Sequence, residues 1–186
     1  MKKLLLLAVF IAGMTFPAFA GSGAFKLSLW DNLAFAIPNN TQEIKGVDLG
    51  IGSHTYSVTG FQWDLIWGET RYLTGVSWVG GISKTGYAQG VQWAFVNMAD
   101  DISGVQFGGV NMTTADVTGL QFGGVNMSGR SVVGAQIGSY NQAEYINGVQ
   151  IGLVNYAKYI YGLQIGVFNI AENGFLPAMI LVNGRF

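Results

Sequence analysis

The chain has 186 residues, with nine Lys/Arg against ten Asp/Glu, one His and no Cys. Charged residues make up 10% and apolar ones 50%, where an ordinary soluble domain carries roughly 25% charge. This excludes a disulfide scaffold, a Cys-ligated zinc site or a His-rich metal centre, and it leaves no basic surface for nucleic acid.

The N-terminus accounts for part of the hydrophobicity. Lys2 and Lys3 precede an apolar run over 4–16, and Ala18-Phe19-Ala20 has the small-residue pattern of a cleavage site. That layout predicts a secretory signal peptide over 1–20. The run is shorter than the roughly 20 residues a spanning helix needs, and Gly21-Ser22-Gly23 breaks it. Residues 21–186 are then one exported β-repeat domain, in the bacterial outer membrane or at the cell surface. No later stretch is long and apolar enough to cross a membrane as a helix, and without Cys a lipid anchor at the mature N-terminus is excluded.

A strand-like stretch over 25–37 opens the domain, with Pro38-Asn39-Asn40 as a turn. Repeats follow from about 44 to 170. A Gly recurs at 46, 60, 75, 90, 104, 119, 134, 148 and 162, spaced 14 or 15 apart. Two places after it stand Gln62, Gln92, Gln106, Gln121, Gln136, Gln150 and Gln164, with Asp48 and Ser77 as exceptions. Asn closes the pattern at 97, 111, 126, 141, 155 and 169, and the residue two before each Gly is apolar. Alternation of period two within each copy predicts strands. One face of the strand carries Ile146, Gly148, Gln150 and Gly152; the other carries Val149, Ile151 and Leu153. Clusters at 99–101, 113–116 and 128–130 read as turns, and Asn173-Gly174 precedes a last apolar strand over 175–186.

Two all-β architectures fit this repeat. The main expectation is an antiparallel up-and-down transmembrane β-barrel of about 10–12 short strands, since an 11-residue strand tilted at 45° spans about 25 Å of bilayer. Val, Ile, Leu and Trp would then meet lipid, and the Gln row would face a packed or very narrow lumen. Tyr87, Tyr140, Tyr145, Tyr156, Tyr159 and Tyr161 lie at or near strand ends, where they would form interfacial girdles. The alternative is a parallel β-solenoid with one 14–15-residue coil per repeat. In that fold Val149, Ile151 and Leu153 stack inward, and Gln ladders on an outer face. Spacings that do not alternate from one strand to the next favour the solenoid; stacked Trp63, Trp78 and Trp93 favour the barrel.

The repeat G-[VL]-Q-[IF]-G-x-[VF]-N, from Gly90 to Asn169, resembles the bacterial surface-repeat family of leptospiral and Bacteroidota envelope proteins. Leu27-Ser28-Leu29-Trp30 and the ending 176–186 are also similar to it. Copies at 46, 60 and 75 depart by lacking the closing Asn. The final alternating strand ending on Phe186 looks like the terminal strand signal of outer-membrane proteins. The resemblance implies placement in the envelope and carries over no catalytic residue.

Residues capable of catalysis are sparse. His54 lies beside Ser53, Thr55 and Ser57, with Glu43 and Glu69 as supporting acids; a Ser–His pair would need hydrogen-bond contact, and no GxSxG elbow exists. Gly81 to Gly86 (GISKTG) superficially suggests a phosphate loop, but Tyr87 stands where Lys is required, and it reads as a hairpin turn. Asp100, Asp101, Asp116 and Glu144 fall between strands without calcium-loop spacing. The expected protein is therefore non-enzymatic, with no catalytic residue, cofactor or metal. Its expected role is structural or surface-interacting at the lipid bilayer, with an extracellular binding or adhesion module as the alternative. A small-solute channel or a lipid-modifying barrel enzyme ranks lower. No nucleic-acid partner is expected, and a protein or glycan partner is unassigned.

Overall fold

A strand repeating every 14 or 15 residues can pair with its neighbours in two ways. Antiparallel hairpins would set each Gln against a different residue, whereas parallel coils set it beside the next Gln. The computed structural model, which describes residues 22–31, 33–38 and 41–186, takes the second route. The signal segment read over 1–20 lies outside the described residues.

Eight strands form one sheet: β1 (Gly23–Trp30), β2 (Leu33–Ile37), β3 (Glu43–Val79), β4 (Ile82–Thr113), β5 (Val117–Ser128), β6 (Ser131–Ile137), β7 (Tyr140–Ala171) and β8 (Ala178–Arg185). Their order is β2-β1-β3-β4-β5-β6-β7-β8. From β1 through β7 each strand pairs in parallel with the next, and only the end pairs β1–β2 and β7–β8 are antiparallel. The register sets like beside like: Gly104 pairs with Gly119, Gln106 with Gln121 and Asn111 with Asn126. The long strands β3, β4 and β7 each bend through more than one coil. The chain is a parallel β-solenoid, and the up-and-down barrel is corrected on this register.

Several local readings change with it. The opening stretch 25–37 splits into β1 and β2, the closing strand is β8, and Lys84 and Thr85 of the supposed hairpin turn lie within β4. The turn read over 99–101 is also part of β4, while 114–115 and 129–130 do bend.

The recurring Gly has a steric cause. All nine adopt positive φ, between 129° and 153°, a region costly for side chains. They also stack: a Cβ on Gly148 would lie 1.9 Å from the Gly134 carbonyl oxygen.

The interior is half apolar. The residues two before each Gly, including Ile102, Val117, Val132, Ile146 and Ile160, form a buried column beside Ala99, Ala143, Ala157 and Ala171. The rest of the interior is polar: Gln and Asn columns, Ser and Thr between them, and Lys26, Asp48 and Asp64 at the N-terminal end. Gln and Asn columns are fully buried, while Ile151 is 40% exposed and Leu153 59%. The solenoid reading with Val149, Ile151 and Leu153 inward and Gln outward is therefore inverted.

Candidate functional site

The seven candidate Gln residues all point into the filled interior, each at most 1% exposed. From Gln92 to Gln164 they form a ladder in which Nε2 of each later Gln donates to Oε1 of the one before, at 2.7–3.0 Å. The second amide hydrogen of Gln136, Gln150 and Gln164 goes to a carbonyl six residues on, at 3.0–3.1 Å. The Asn column runs in the opposite sense. Asn97 donates to Asn111, and so on to Asn169, at 2.8 Å each. Each of these donors also bonds a backbone carbonyl of the next coil at 2.9–3.0 Å. The unpaired ladder oxygens are Asn97 Oδ1 and Gln164 Oε1, the acceptors that directional ladders leave over at their ends. A buried amide costs free energy unless bonded, and identical amides at coil spacing solve that together. The row is neither a lumen lining nor an exposed ligand surface.

At the N-terminal end the Gln column changes chemistry. Lys26 pairs in register with Asp48, and both are buried beside Thr55, Ser53 and Asp64. Lys26 Nζ donates to Thr55 Oγ1 at 2.8 Å and to the His54 carbonyl, and Thr55 Oγ1 donates to Asp48. Ser53 Oγ and Gln62 Nε2 donate to Asp64 Oδ2 at 2.7 and 2.9 Å. Burial lowers the Lys26 pKa and raises that of Asp48. It pushes Asp64 up to about 6, against the opposing bond from Ser53. This network was not foreseen from the sequence, although Asp48 in a Gln position was its signal.

His54 stands on strand β3, not on a turn, with its ring exposed and Nδ1 3.7 Å from the Asp31 carboxylate. Ser53 and Thr55 flank it on the strand and therefore point the other way, into the interior. The sequence-derived Ser–His arrangement is not assembled. Glu69 pairs with Lys84 at 3.1 Å, and Glu43 is exposed.

The outward surface is sharply divided. Each coil from Gly60 onward (47–54, after Gly46, carries Asp48 and the exposed His54) shows two sides through the eight residues after its Gly, namely 61–68, 76–83, 91–98, 105–112, 120–127, 135–142, 149–156 and 163–170. These windows hold one ionisable acid or base, Asp64, and it is buried. A row of large side chains runs along them. Trp78 stacks on Trp93 at 4.8 Å between ring centroids, and Phe107 on Phe122 at 5.0 Å; Ile151 and Ile165 continue the row, 40% and 39% exposed.

The remaining edge holds the charges. Arg130 pairs with Asp116, Lys84 with Glu69, and Lys158 lies 3.8 Å from Glu144. Tyrosines border this edge: Tyr72 stacks on Tyr87 at 5.6 Å and Tyr145 on Tyr159 at 5.1 Å. Asp100, Asp101, Asp116 and Glu144, read from the sequence as lying between strands, all fall on this edge, but only Asp116 lies between strands, Asp100 and Asp101 being in β4 and Glu144 in β7; no metal-holding group of His, Cys, Asp or Glu occurs among the described residues. A cleft of about 760 Å³ opens here between Tyr56, Tyr72, Arg71 and Met98.

Searches of family models, curated proteins and solved structures return no match for the chain.

Proposed function

We propose that this chain is a non-enzymatic interaction module of the bacterial cell envelope, a β-solenoid that attaches through its two uncharged sides. The observation carrying this reading is the run of eight windows from 61 to 170 without an exposed charge, over which Trp, Phe and Ile stand 39–44% exposed at six of the seven ring or aliphatic positions from Trp78 to Ile165, Ile137 being half-buried. Exposed apolar patches of this extent mark interaction surfaces. Export rests on the pattern over 1–20, and envelope placement on that pattern together with the resemblance of the repeats to surface-repeat proteins. The Gln and Asn of the repeats are turned inward and spent on the ladders, which supports a structural use of that row and a binding role for the apolar sides.

The test is fractionation of cells producing the full chain or a variant carrying Phe107→Glu and Ile151→Lys. Both side chains face outward, so the fold is expected to survive, as judged by unchanged circular dichroism. Wild type should stay with the envelope through a carbonate wash and the variant should be released. Equal retention of the folded variant sinks the proposal.

A further inference from the structure

Resting on that reading, we infer that the partner of the uncharged sides is a lipid surface, on which the solenoid lies lengthwise with its charged edge toward water. Four observations lead there. First, the uncharged surface covers two adjoining sides. Two consecutive outward residues, such as Leu65 and Ile66 or Val167 and Phe168, mark the corner between them. A second copy or a rigid partner covers one flat side, whereas a fluid phase follows the chain around the corner.

Second, these sides offer little for a protein to bond. Protein interfaces carry about one hydrogen bond per 100–200 Å², yet here the ladder Gln and Asn of the windows from 91 to 170 point inward and are bonded to one another, leaving Gln142 as the outward amide. Third, the tyrosine stacks lie along the charged edge itself, at the coil position that Asp101 and Asp116 hold elsewhere, with Arg71 over the Tyr87 ring and Lys158 over the Tyr159 ring, so the edge carries the mix of amphipathic rings and charges found at a membrane–water boundary.

Fourth, the backbone on these sides is bonded from coil to coil. Contact with hydrocarbon therefore leaves no peptide group of the inner coils unpaired, the condition a membrane imposes on any backbone. Eight coils at about 4.8 Å make a strip about 34 Å long, seated about 5–10 Å into the headgroup boundary.

The charged edge mixes both signs, with Arg71, Lys84, Arg130 and Lys158 among Glu69, Asp100, Asp101, Asp116 and Glu144. It provides no basic patch for anionic lipid, so attachment is apolar and indifferent to salt.

Flotation of the purified mature chain tests this, with vesicles of phosphatidylcholine alone and of phosphatidylcholine with phosphatidylglycerol, at low and high salt. The expected result is flotation with both vesicles at both salts, a blue shift of Trp fluorescence from Trp78 and Trp93, and at least a tenfold loss of partitioning for Phe107→Glu/Ile151→Lys with its circular dichroism unchanged. Binding only to the anionic vesicles, abolished by salt, overturns the inference by assigning attachment to the charged edge. So does a dimer in solution that the same substitutions dissolve, without vesicle binding. If vesicles fail while the double variant still loses the cell envelope, the partner is a protein or glycan; the lipid assignment falls and the interaction-module reading stands. If neither responds, both fall.

Discussion

Replacing Gln136 by Leu interrupts the Gln ladder at its middle with a side chain of similar volume. Gln136 Nε2 donates to Gln121 Oε1 at 2.7 Å, and its Oε1 accepts from Gln150 Nε2 at 2.8 Å. The substitution strips Gln121 Oε1 of its amide donor and frees one hydrogen of Gln150, both fully buried. Each unsatisfied group costs about 1–3 kcal/mol. Burial of Leu returns part of this, so the net loss should be about 2–4 kcal/mol. Both changes also remove one bond to a backbone carbonyl, of Gln142 or of Ile170; beyond that, the change at Gln164, equally buried, removes an oxygen that already has no partner and orphans Gln150 Oε1 alone. It should cost about 1 kcal/mol or less. The assay is guanidinium unfolding followed by Trp fluorescence, with m-values compared to detect loss of two-state behaviour in a repeat array. Equal losses at the two positions would refute the argument, because burial and volume match and only the number of orphaned groups differs.

Three further outcomes follow from the same geometry. Gly148→Ala should abolish folding or cost more than about 3 kcal/mol, since its Cβ would meet a carbonyl 1.9 Å away at φ 142°. Gly124→Ala, whose nearest neighbour lies at 3.0 Å with ordinary φ, should cost under about 1 kcal/mol; thermal melts compare the two. For Asp64, the folded pKa of about 6 exceeds the unfolded value, near 3.9. Its protonation therefore favours the fold: stability is fullest below the unfolded pKa and falls as pH rises toward and through 6. Asp64→Asn should remove that slope and stabilise the chain above pH 6 by about 2 kcal/mol, read from unfolding midpoints at pH 4.5 and 7.5. A slope unchanged in the variant assigns the titration elsewhere.

Much of this architecture is legible in the residues, but in two halves that do not meet. Period-two alternation assigns Gly148, Gln150 and Gly152 to one side of the chain and Val149, Ile151 and Leu153 to the other. It is silent on which neighbours the strand will find. The barrel reading puts the Gln side inward and the apolar side outward, as observed, but pairs the strands antiparallel. The solenoid reading pairs them as observed and turns the sides over, because it assumes that aliphatic residues must be the ones that stack. The discriminating sign is identity from coil to coil. From Gly90 onward the Gln and Asn positions do not vary, whereas the Trp93, Phe107, Ile151 position changes along the axis. A directional ladder needs the same amide in each rung, and an outward position does not. The Lys26, Asp48 and Asp64 network is hidden for another reason. Asp64 stands where other copies carry a small residue, and only three-dimensional stacking on Gly50 brings its carboxylate toward Ser28 and Asp48.

The two amide columns point their donors in opposite directions along the solenoid, Gln toward the N-terminus and Asn toward the C-terminus. Their dipoles therefore oppose coil by coil, and no axial field accumulates as the stack grows. Each added coil accepts and donates the same bonds as the one it displaces, so a single leftover oxygen per column persists whatever the length. Excising 119–133 would splice Thr118 to Gly134 and hand every rung an identical successor. Stacks of this kind can lengthen or shorten by whole turns during duplication without redesign of the interior, whereas a change of five residues would put Gln against Asn and break both columns at once. The reach of the molecule along whatever it lies upon is thus an integer that evolution can count up or down.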